Sequence, residues 1–372
     1  MKLAITLLGA SVGALVSLGV VILYSASMGA SLVQKQMLSL SLGLLGGWLA
    51  MATPYWKWRR FAWAFFALAV ILLTLVLVPQ IGVKVGGARR WLNLGGFSFQ
   101  PSDLAKIVLV LSLAHYVDLN RDKMHKFFDG MVVPGAGVCL LLALVFNEPD
   151  YGTTALLAAV GGFLLLLGGV RWLHFLPPMV FGVTLFALAI YLNPLRLQRV
   201  LSWLNLEETK TTTGYQVYQS SIALGSGGVW GLGLGSGRQK LGWVPEHHTD
   251  FIFSVIGEEL GLVATVGVVV AFAVFFCCGV YIAWRARDRF GFLLASGLTL
   301  LITLQAIINV GVVTGAFPNK GLSLPFISFG GSNLAMMLTA VGLILSVALR
   351  APADGDDGLQ PGEGEFDVKE VL

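Results

Sequence analysis

The sequence predicts an all-α polytopic membrane protein with ten transmembrane helices. Of its 372 residues, 56% are hydrophobic and 12% are charged, and the mean hydropathy is +0.81. This composition is typical of a chain that crosses a bilayer several times rather than of a soluble globule. A spanning helix needs roughly 20 mostly apolar residues. The runs that meet or approach this length are 3–25, 37–53, 61–79, 104–118, 131–147, 153–170, 173–191, 259–284, 291–313 and 333–349.

Ten spans place both termini on the same side of the membrane. Because lysine and arginine in short loops mark the cytoplasmic side, the basic clusters at 57–60, 121–126 and 285–289 put both termini in the cytoplasm. The long segments 80–103 and 192–252 are then extracytoplasmic, the second lying between helices 7 and 8. We predict one membrane domain over residues 1–349 and a disordered, acidic cytoplasmic tail over 350–372.

The distribution of charge and the potential metal-binding residues indicate which partners and metal sites to expect. The net charge of +4 is divided between cytoplasmic edges and external loops instead of forming one patch, so no nucleic-acid partner is indicated. His247 and His248 near Asp250 are metal-binding residue types, but adjacent histidines project in different directions in most backbones. We therefore assign no metal ligands.

The first polar patch is at the start of the fourth apolar run. Pro101 is expected to begin a helix there, with Ser102 as a candidate N-cap. Asp103 and Lys106 are three residues apart on one helical face and can form an ion pair. An ammonium within a span costs roughly 2.5–3.5 kcal/mol unless it is paired or faces a wet cavity. The patch is either an ordinary capped helix or part of such a cavity.

The second patch, residues 147–154, lies between two apolar runs with almost no room for a loop. It carries the carboxylates Glu148 and Asp150, and Pro149 and Gly152 interrupt the helix. Free backbone groups are tolerated near lipid only where the segment lines a cavity or packs in protein. The patch is either a plain turn or a second part of the cavity that contains Lys106.

The long segment 192–252 combines basic residues with a glycine-rich run. Glycine-rich backbone can cradle phosphate oxygens through its N–H groups, and residues 225–237 contain seven glycines. The run lacks the Gly-Lys-Ser/Thr ending of a nucleotide-binding loop, so it is either a diphosphate nest or a series of turns. The basic residues of the segment are Arg196, Arg199, Arg238 and Lys240.

Asp250 is the strongest candidate for the reactive group. It ends a polar loop that begins at Pro245 and leads into an apolar helix. A base that activates a hydroxyl group needs a single, positioned carboxylate. The same patch includes residues 317–333, which carry Lys320 and Ser328.

These patches together resemble the SEDS (shape, elongation, division and sporulation) family, and its division member more than its elongation member. The resemblance extends in order from the first helix to about residue 349. Asp103 is the main departure, because glutamate is often found there. The matching motifs are Arg90-Trp91 through Lys106, Pro149-Asp150-x-Gly152-Thr153, Pro245-Glu246-x-His248-Thr249-Asp250-Phe251-Ile252-Phe253, Gly257-Glu258-Glu259-Leu260-Gly261, Lys320-Gly321-Leu322-x-Leu324-Pro325 and Ser328-x-Gly330-Gly331-Ser332.

The resemblance implies a GT-C-like fold and an inverting peptidoglycan glycosyltransferase in the bacterial cytoplasmic membrane. Such an enzyme polymerises lipid II into β-1,4 glycan strands on the extracytoplasmic side and releases undecaprenyl diphosphate. The family's catalytic aspartate matches Asp250. The substrate-binding candidates are Asp103, Lys106, Asp150, Arg196, Arg199, Lys240, Lys320 and Ser328.

The resemblance also implies partners and bears on cofactors. A class B penicillin-binding protein, which is a transpeptidase, is the expected partner, with other divisome or elongasome membrane proteins. A divalent cation, magnesium or manganese, is compatible with the chemistry, and no organic cofactor is expected. Two other functions stay open: a lipid II flippase that uses the same charged residues, and a scaffold that would tolerate Asp250→Asn. The position of Asp250 in an extracytoplasmic loop favours the polymerase.

Overall fold

The computed structural model describes residues 1–27, 30–85, 88–95, 97–238 and 248–352, and most of them are helical. A helix lies over each of the ten apolar runs. Those helices are α1 (Lys2–Ser27), α2 (Ala30–Ala52), α4 (Ala62–Leu77), α5 (Pro101–Leu119), α6 (Val133–Asn147), α7 (Tyr151–Leu167), α8 (Trp172–Tyr191), α12 (Ile252–Trp284), α13 (Arg289–Val313) and α14 (Gly331–Ala348). Short helices complete the set: α3 (Tyr55–Arg59), α9 (Pro194–Leu204), α10 (Leu206–Thr209) and α11 (Tyr215–Ser226).

Length and composition separate these helices into classes. Within the described ranges, six are long and apolar enough to cross a membrane, and two shorter ones, α4 and α7, are also apolar. Helix α5 is instead buried along most of its length, because it packs against α4, α7, α13 and α14. Helix α8 has no buried residue and presents most of its apolar surface outward, although Phe175 packs against the core and Phe186 contacts Tyr151. The protein therefore has a central group of helices around α5 and α13, with α8 at the periphery.

Helices α2 and α14 make the closest helix pair. A Cβ atom on Gly342 would lie 2.1 Å from the Gly47 carbonyl oxygen, and one on Gly43 would lie 2.9 Å from the Cα of Ala335. Glycine lets two backbones approach closely, which is how apolar helices gain packing energy where lipid supplies little hydrophobic drive. A larger side chain at Gly342 would push the helices apart.

The segment predicted as an external loop over residues 80–103 contains a three-stranded antiparallel sheet. Its strands, β1 (Gly82–Val85), β2 (Ala88–Leu94) and β3 (Phe97–Phe99), are arranged in the order β1-β2-β3. Leu92 pairs with Gly82 on one side and with Phe99 on the other. The loop prediction for this segment did not include the sheet, because strands of three to seven residues carry little periodic signal.

The glycine-rich run packs on a kink in α12. Gly261 has a φ of 75° inside α12, and the helix changes direction there. The N–H groups of Leu232 and Gly233 donate to the carbonyls of Glu258 and Glu259, at 3.0 and 2.9 Å. A Cβ atom on Gly261 would lie 2.3 Å from the backbone nitrogen of Gly231. The run therefore binds the backbone of α12 at a position where only glycine fits.

Candidate functional site

A cavity of about 740 Å³ collects most of the residues predicted for the site. Ser328 does not line it, and Lys240 lies outside the described residues. The predicted residues on the cavity wall are Asp103, Lys106, Asp150, Arg196, Arg199, Asp250 and Lys320. Four helices begin at this cavity, α5, α7, α12 and α14, and their positive dipole ends favour an anionic ligand.

The inner wall is built on the ion pair between Lys106 and Asp103. Pro101 begins α5 as predicted, but the N-cap is Gln100 rather than Ser102, which lies inside the helix. Lys106 Nζ lies 2.9 Å from Asp103 Oδ1, and the two residues are 3% and 2% exposed. Desolvation of such a pair is costly unless further hydrogen bonds satisfy both groups.

Amide and hydroxyl groups from distant helices supply those hydrogen bonds. Lys106 Nζ also donates to the side-chain oxygens of Gln305 at 3.1 Å and Asn333 at 3.3 Å. Ser332 Oγ donates to Asp103 Oδ2 at 2.7 Å. An ammonium has three hydrogens, and three protein acceptors surround Lys106. The pair is therefore fully coordinated by the protein itself.

Asp150 is the N-cap of α7. Its Oδ1 accepts the Thr153 backbone N–H at 3.0 Å, and its Oδ2 accepts the Thr153 hydroxyl at 2.9 Å. Gln100 Nε2 lies 3.4 Å from the same Oδ2. Asp150 is 4% exposed. The structure thus places this carboxylate on the cavity wall and also gives it a helix-capping role.

Glu148 precedes Asp150 in the turn between α6 and α7. It is fully buried, and neither carboxylate oxygen has a hydrogen-bond partner among the described residues. Burial, reinforced by the negative charge of Asp150, raises the pKa of Glu148 to about 9. Its backbone is anchored by Arg90 of β2, whose guanidinium donates to the carbonyls of Glu148 at 2.9 Å and Pro149 at 2.6 Å.

Asp250 lies on a second part of the cavity wall, which also carries Arg196, Arg199 and Lys320 and is called the outer wall here. It is partly exposed, unlike Asp103 and Asp150. The preceding backbone is held by the segment after α13: the His248 carbonyl accepts the Phe329 N–H at 2.9 Å, and the Thr249 carbonyl accepts the Ser328 hydroxyl at 2.6 Å. Ser328 therefore lies behind the cavity and fixes the loop that carries Asp250.

Three cationic side chains, Arg196, Arg199 and Lys320, line the same cavity as Asp250. The Arg196 guanidinium stacks 3.3 Å above the Tyr151 ring, which joins α9 to the start of α7. Burial, together with the nearby charge of Arg199, lowers the pKa of Arg196. Burial also lowers the pKa of Lys320, whose Nζ lies 5.4 Å from the Phe186 ring. Like charges in a partly dry cavity indicate a site that binds an anion.

Several wall residues were missed by the sequence predictions. Lys35 and Arg90 add two cations, and Asn333 adds a neutral polar group. Gln305 and Asn309, one turn apart within the apolar run 291–313, are buried polar residues that hydrogen-bond to segments of this wall. Polar amides inside an apolar run are a signal for a functional cavity, so these positions could have been identified.

Metal ligands and the glycine-rich run are the remaining predictions for the site. No group of three His, Cys, Asp or Glu side chains that could hold a metal exists among the described residues. The carboxylates of Asp103 and Asp150 already accept hydrogen bonds at both oxygens. The glycine-rich run does not line the cavity, and two of its N–H groups are bound to α12. Its described part is therefore structural rather than a diphosphate nest.

A family model covering the FtsW, RodA and SpoVE proteins, described as "Cell cycle protein", matches residues 4–352. The chain belongs to the SEDS family. It is 39% identical over 356 residues to the probable peptidoglycan glycosyltransferase FtsW of Trichlorobacter lovleyi, covering 92% of this chain and 93% of that protein. It is 34% identical over 344 residues to stage V sporulation protein E of Bacillus subtilis, covering 90% and 94%.

Solved structures of SEDS proteins have the same fold. One chain, described under "Structural coordination of polymerization and crosslinking by a peptidoglycan synthase complex", matches with a TM-score of 0.79 at 29% identity, covering 92% of this chain and 96% of that one. Thermus thermophilus RodA matches with a TM-score of 0.70 at 28% identity, covering 93% and 97%. This SEDS protein is therefore a multi-pass membrane protein, and the relatives named FtsW make it FtsW-like.

Proposed function

We propose that this SEDS protein is a peptidoglycan glycosyltransferase that polymerises lipid II. The observation that carries the proposal is the cavity, in which a partly exposed carboxylate, Asp250, faces a surplus of cations. Relatives at 39% identity over most of the chain are named as probable peptidoglycan glycosyltransferases. An enzyme that joins two lipid-linked saccharides needs a base for the hydroxyl and positive charge for the leaving diphosphate.

Asp250 is proposed as the general base. The sugar 4-hydroxyl of one lipid II attacks the anomeric carbon of another, and its proton passes to the Asp250 carboxylate. The bond between the anomeric carbon and the diphosphate oxygen breaks, and undecaprenyl diphosphate leaves with the electron pair. Attack from the opposite face converts the α linkage into β. Asp103 and Asp150 suit this role less, because they are only 2% and 4% exposed, whereas Asp250 is partly exposed to the cavity.

The leaving diphosphate is proposed to bind the cations of the outer wall. Arg196, Arg199 and Lys320 line the cavity beside Asp250, and Arg90 enters it from the sheet. Lys106, a candidate from the sequence, has three hydrogens that already face three protein acceptors. We therefore assign Lys106 the role of fixing Asp103 and adding positive charge to the cavity wall.

No group of three His, Cys, Asp or Glu side chains among the described residues could hold a metal ion. The Arg and Lys side chains of the cavity are proposed to stabilise the leaving diphosphate, alone or together with a magnesium or manganese ion bound to the substrate. Adding magnesium or manganese to cation-depleted enzyme tests this point. If activity requires the metal absolutely, a cation bound to the diphosphate of the substrate provides part of the charge stabilisation.

The membrane arrangement follows from the same proposal. The chain is proposed to have ten spans, with both termini in the cytoplasm and the cavity on the extracytoplasmic side. This arrangement would leave the polyprenyl chain in the bilayer while the headgroup enters the cavity. A class B penicillin-binding protein is the proposed partner, supported by the structural match to a peptidoglycan synthase complex. The FtsW-like character favours work with divisome proteins over elongasome proteins.

Polymerisation and translocation assays on one preparation test the proposal. Purified protein with its transpeptidase is incubated with lipid II, and glycan products are separated by size. The same protein in liposomes is assayed for lipid II translocation. Glycan from the wild type, lost in Asp250→Ala that folds and binds the partner, is expected. Translocation without any glycan would instead support the flippase.

A further inference from the structure

Asn309 of α13 connects two segments of the outer wall. It is 1% exposed, and its Nδ2 donates to the Asp250 carbonyl at 2.8 Å and to the Leu322 carbonyl at 2.6 Å. A side-chain amide has two N–H hydrogens, and these two carbonyls use both. One side chain therefore joins the backbone that carries Asp250 to the loop that carries Lys320.

The same loop lies directly against the Asp250 carboxylate. A Cβ atom on Gly321 would lie 2.6 Å from Asp250 Oδ2, so the carboxylate packs on the bare Cα of this glycine. One turn earlier on α13, Gln305 Nε2 donates to the Ser323 carbonyl at 2.8 Å. The loop from Lys320 to Ser323 is thus fixed to α13 at two points, and the carboxylate rests on it between Lys320 and Leu322.

Three successive carbonyls, of residues 248, 249 and 250, are each held by a different donor. The first two donors, Phe329 N–H and the Ser328 hydroxyl, belong to a single segment, whereas the third, Asn309, comes from a spanning helix. A displacement of about 1 Å at a reacting group can cost on the order of 100-fold in rate. The donor from the helix fixes Asp250 relative to the membrane domain.

We propose that Asn309 is a positioning residue for the proposed polymerisation: its amide seats the Asp250 carboxylate against the Lys320–Leu322 loop. The proton acceptor and the Lys320 ammonium are then carried by one rigid unit. Because this inference rests on the proposed function, its test includes a measurement that does not depend on catalysis.

The test compares Asn309→Ala with Ser220→Ala, a matched control. Ser220 is fully buried and donates to the Val313 carbonyl at the end of the same helix, at 2.8 Å, but it does not line the cavity. Asn309→Ala is expected to lower kcat by about 10- to 100-fold, with KM within about threefold of wild type. Ser220→Ala is expected to leave both constants unchanged. A loss in Asn309→Ala no larger than in the control overturns the proposal.

Two further variants address placement of the carboxylate. In Asn309→Asp, a buried and therefore protonated acid keeps one O–H donor in place of two N–H donors, so kcat should fall between wild type and Asn309→Ala. Gly321→Ala leaves the amide intact but pushes on the carboxylate, so it should also lower kcat. Because both changes act through one group, the double variant Asn309→Ala/Gly321→Ala should lose less than the product of the single losses. Multiplicative losses contradict a shared mechanism.

Amide hydrogen exchange provides the measurement without catalysis. Asn309→Ala should speed exchange in peptides covering 248–254 and 318–324 together, whereas Ser220→Ala should not. Unchanged exchange in both peptides overturns the proposal. If the wild type makes no glycan, the proposed function fails, while the exchange result still decides whether Asn309 joins the two segments.

Discussion

The two walls of the cavity use similar residue types for different purposes. On the inner wall, Asp103 and Lys106 are almost fully buried and are saturated by protein hydrogen bonds. On the outer wall, Asp250, Arg196 and Lys320 are partly exposed to the cavity. A charge that is fully coordinated by its own protein stabilises the shape of the site, whereas a charge that faces the cavity can act on a substrate. Exposure to the cavity therefore separates structural from reactive groups better than residue type does.

Breaking the inner ion pair should have the largest effect on stability. Lys106→Met leaves the Asp103 carboxylate buried without its cation, which typically costs about 3–5 kcal/mol. The double variant Asp103→Asn/Lys106→Met removes both charges and should recover most of that loss. Chemical denaturation in detergent measures both variants. Equal losses in the single and double variants would show that the pair contributes little beyond its packing.

The outer cations should affect substrate binding rather than folding. Lys320→Met and Arg199→Ala should each raise KM for lipid II by about tenfold, because a hydrogen bond to a charged group is worth about 1.5–3 kcal/mol. Thermal stability should stay near that of wild type. Lys126→Ala, which changes an exposed basic residue that does not line the cavity, is the control. An unchanged KM in both site variants would remove these residues from the diphosphate site.

The pH dependence of kcat/KM should reflect the protonation of Lys320. Burial lowers its pKa below the ordinary value of 10.5, so its charge is lost at a lower pH than that of an exposed lysine. The ratio kcat/KM, which reports the free enzyme, should therefore fall on the alkaline side below pH 10.5. Lys320→Arg should move this alkaline limb upward, because arginine keeps its proton. An identical limb in both proteins would assign it to another group.

Of the substitutions considered, Glu148→Gln should change the activity least. Because its pKa is raised from 4.5 to about 9, the carboxyl is neutral at pH 7, and Glu148→Gln should keep more than about half of the activity. For an acid with a raised native pKa, the contribution to stability declines as pH increases from 4.5 towards 9. Glu148→Gln should therefore stabilise the protein more at pH 8.5 than at pH 5. The opposite order in thermal unfolding would contradict a protonated Glu148.

The helices could be predicted from the sequence, since hydrophobicity and run length are local properties. The Asp103–Lys106 pair could be predicted for the same reason, because three residues on a helix fix its geometry. The partners Gln305 and Asn333 lie about 200 residues further along the chain, and no local pattern connects them to Lys106.

The glycine-rich run illustrates the opposite case. Its composition suits either phosphate binding or close packing, and only the contacts of Gly231 and Gly233 with the kinked region of α12 decide between them. The sheet escaped prediction because its strands are so short that their alternation, as in Phe97-Ser98-Phe99, covers too few positions to indicate a strand. Long-range contacts, rather than local propensity, determine both features.

The most direct test compares the same substitution on the two walls, Asp250→Asn and Asp150→Asn, by polymerisation rate and by unfolding. Asp250→Asn should lower the rate by about 10²- to 10⁴-fold, the usual contribution of a general base, without destabilising the protein. Asp150→Asn should destabilise the protein by about 0.5–2 kcal/mol through its altered helix cap, with a smaller loss of rate. Normal polymerisation by a folded Asp250→Asn variant would contradict the account.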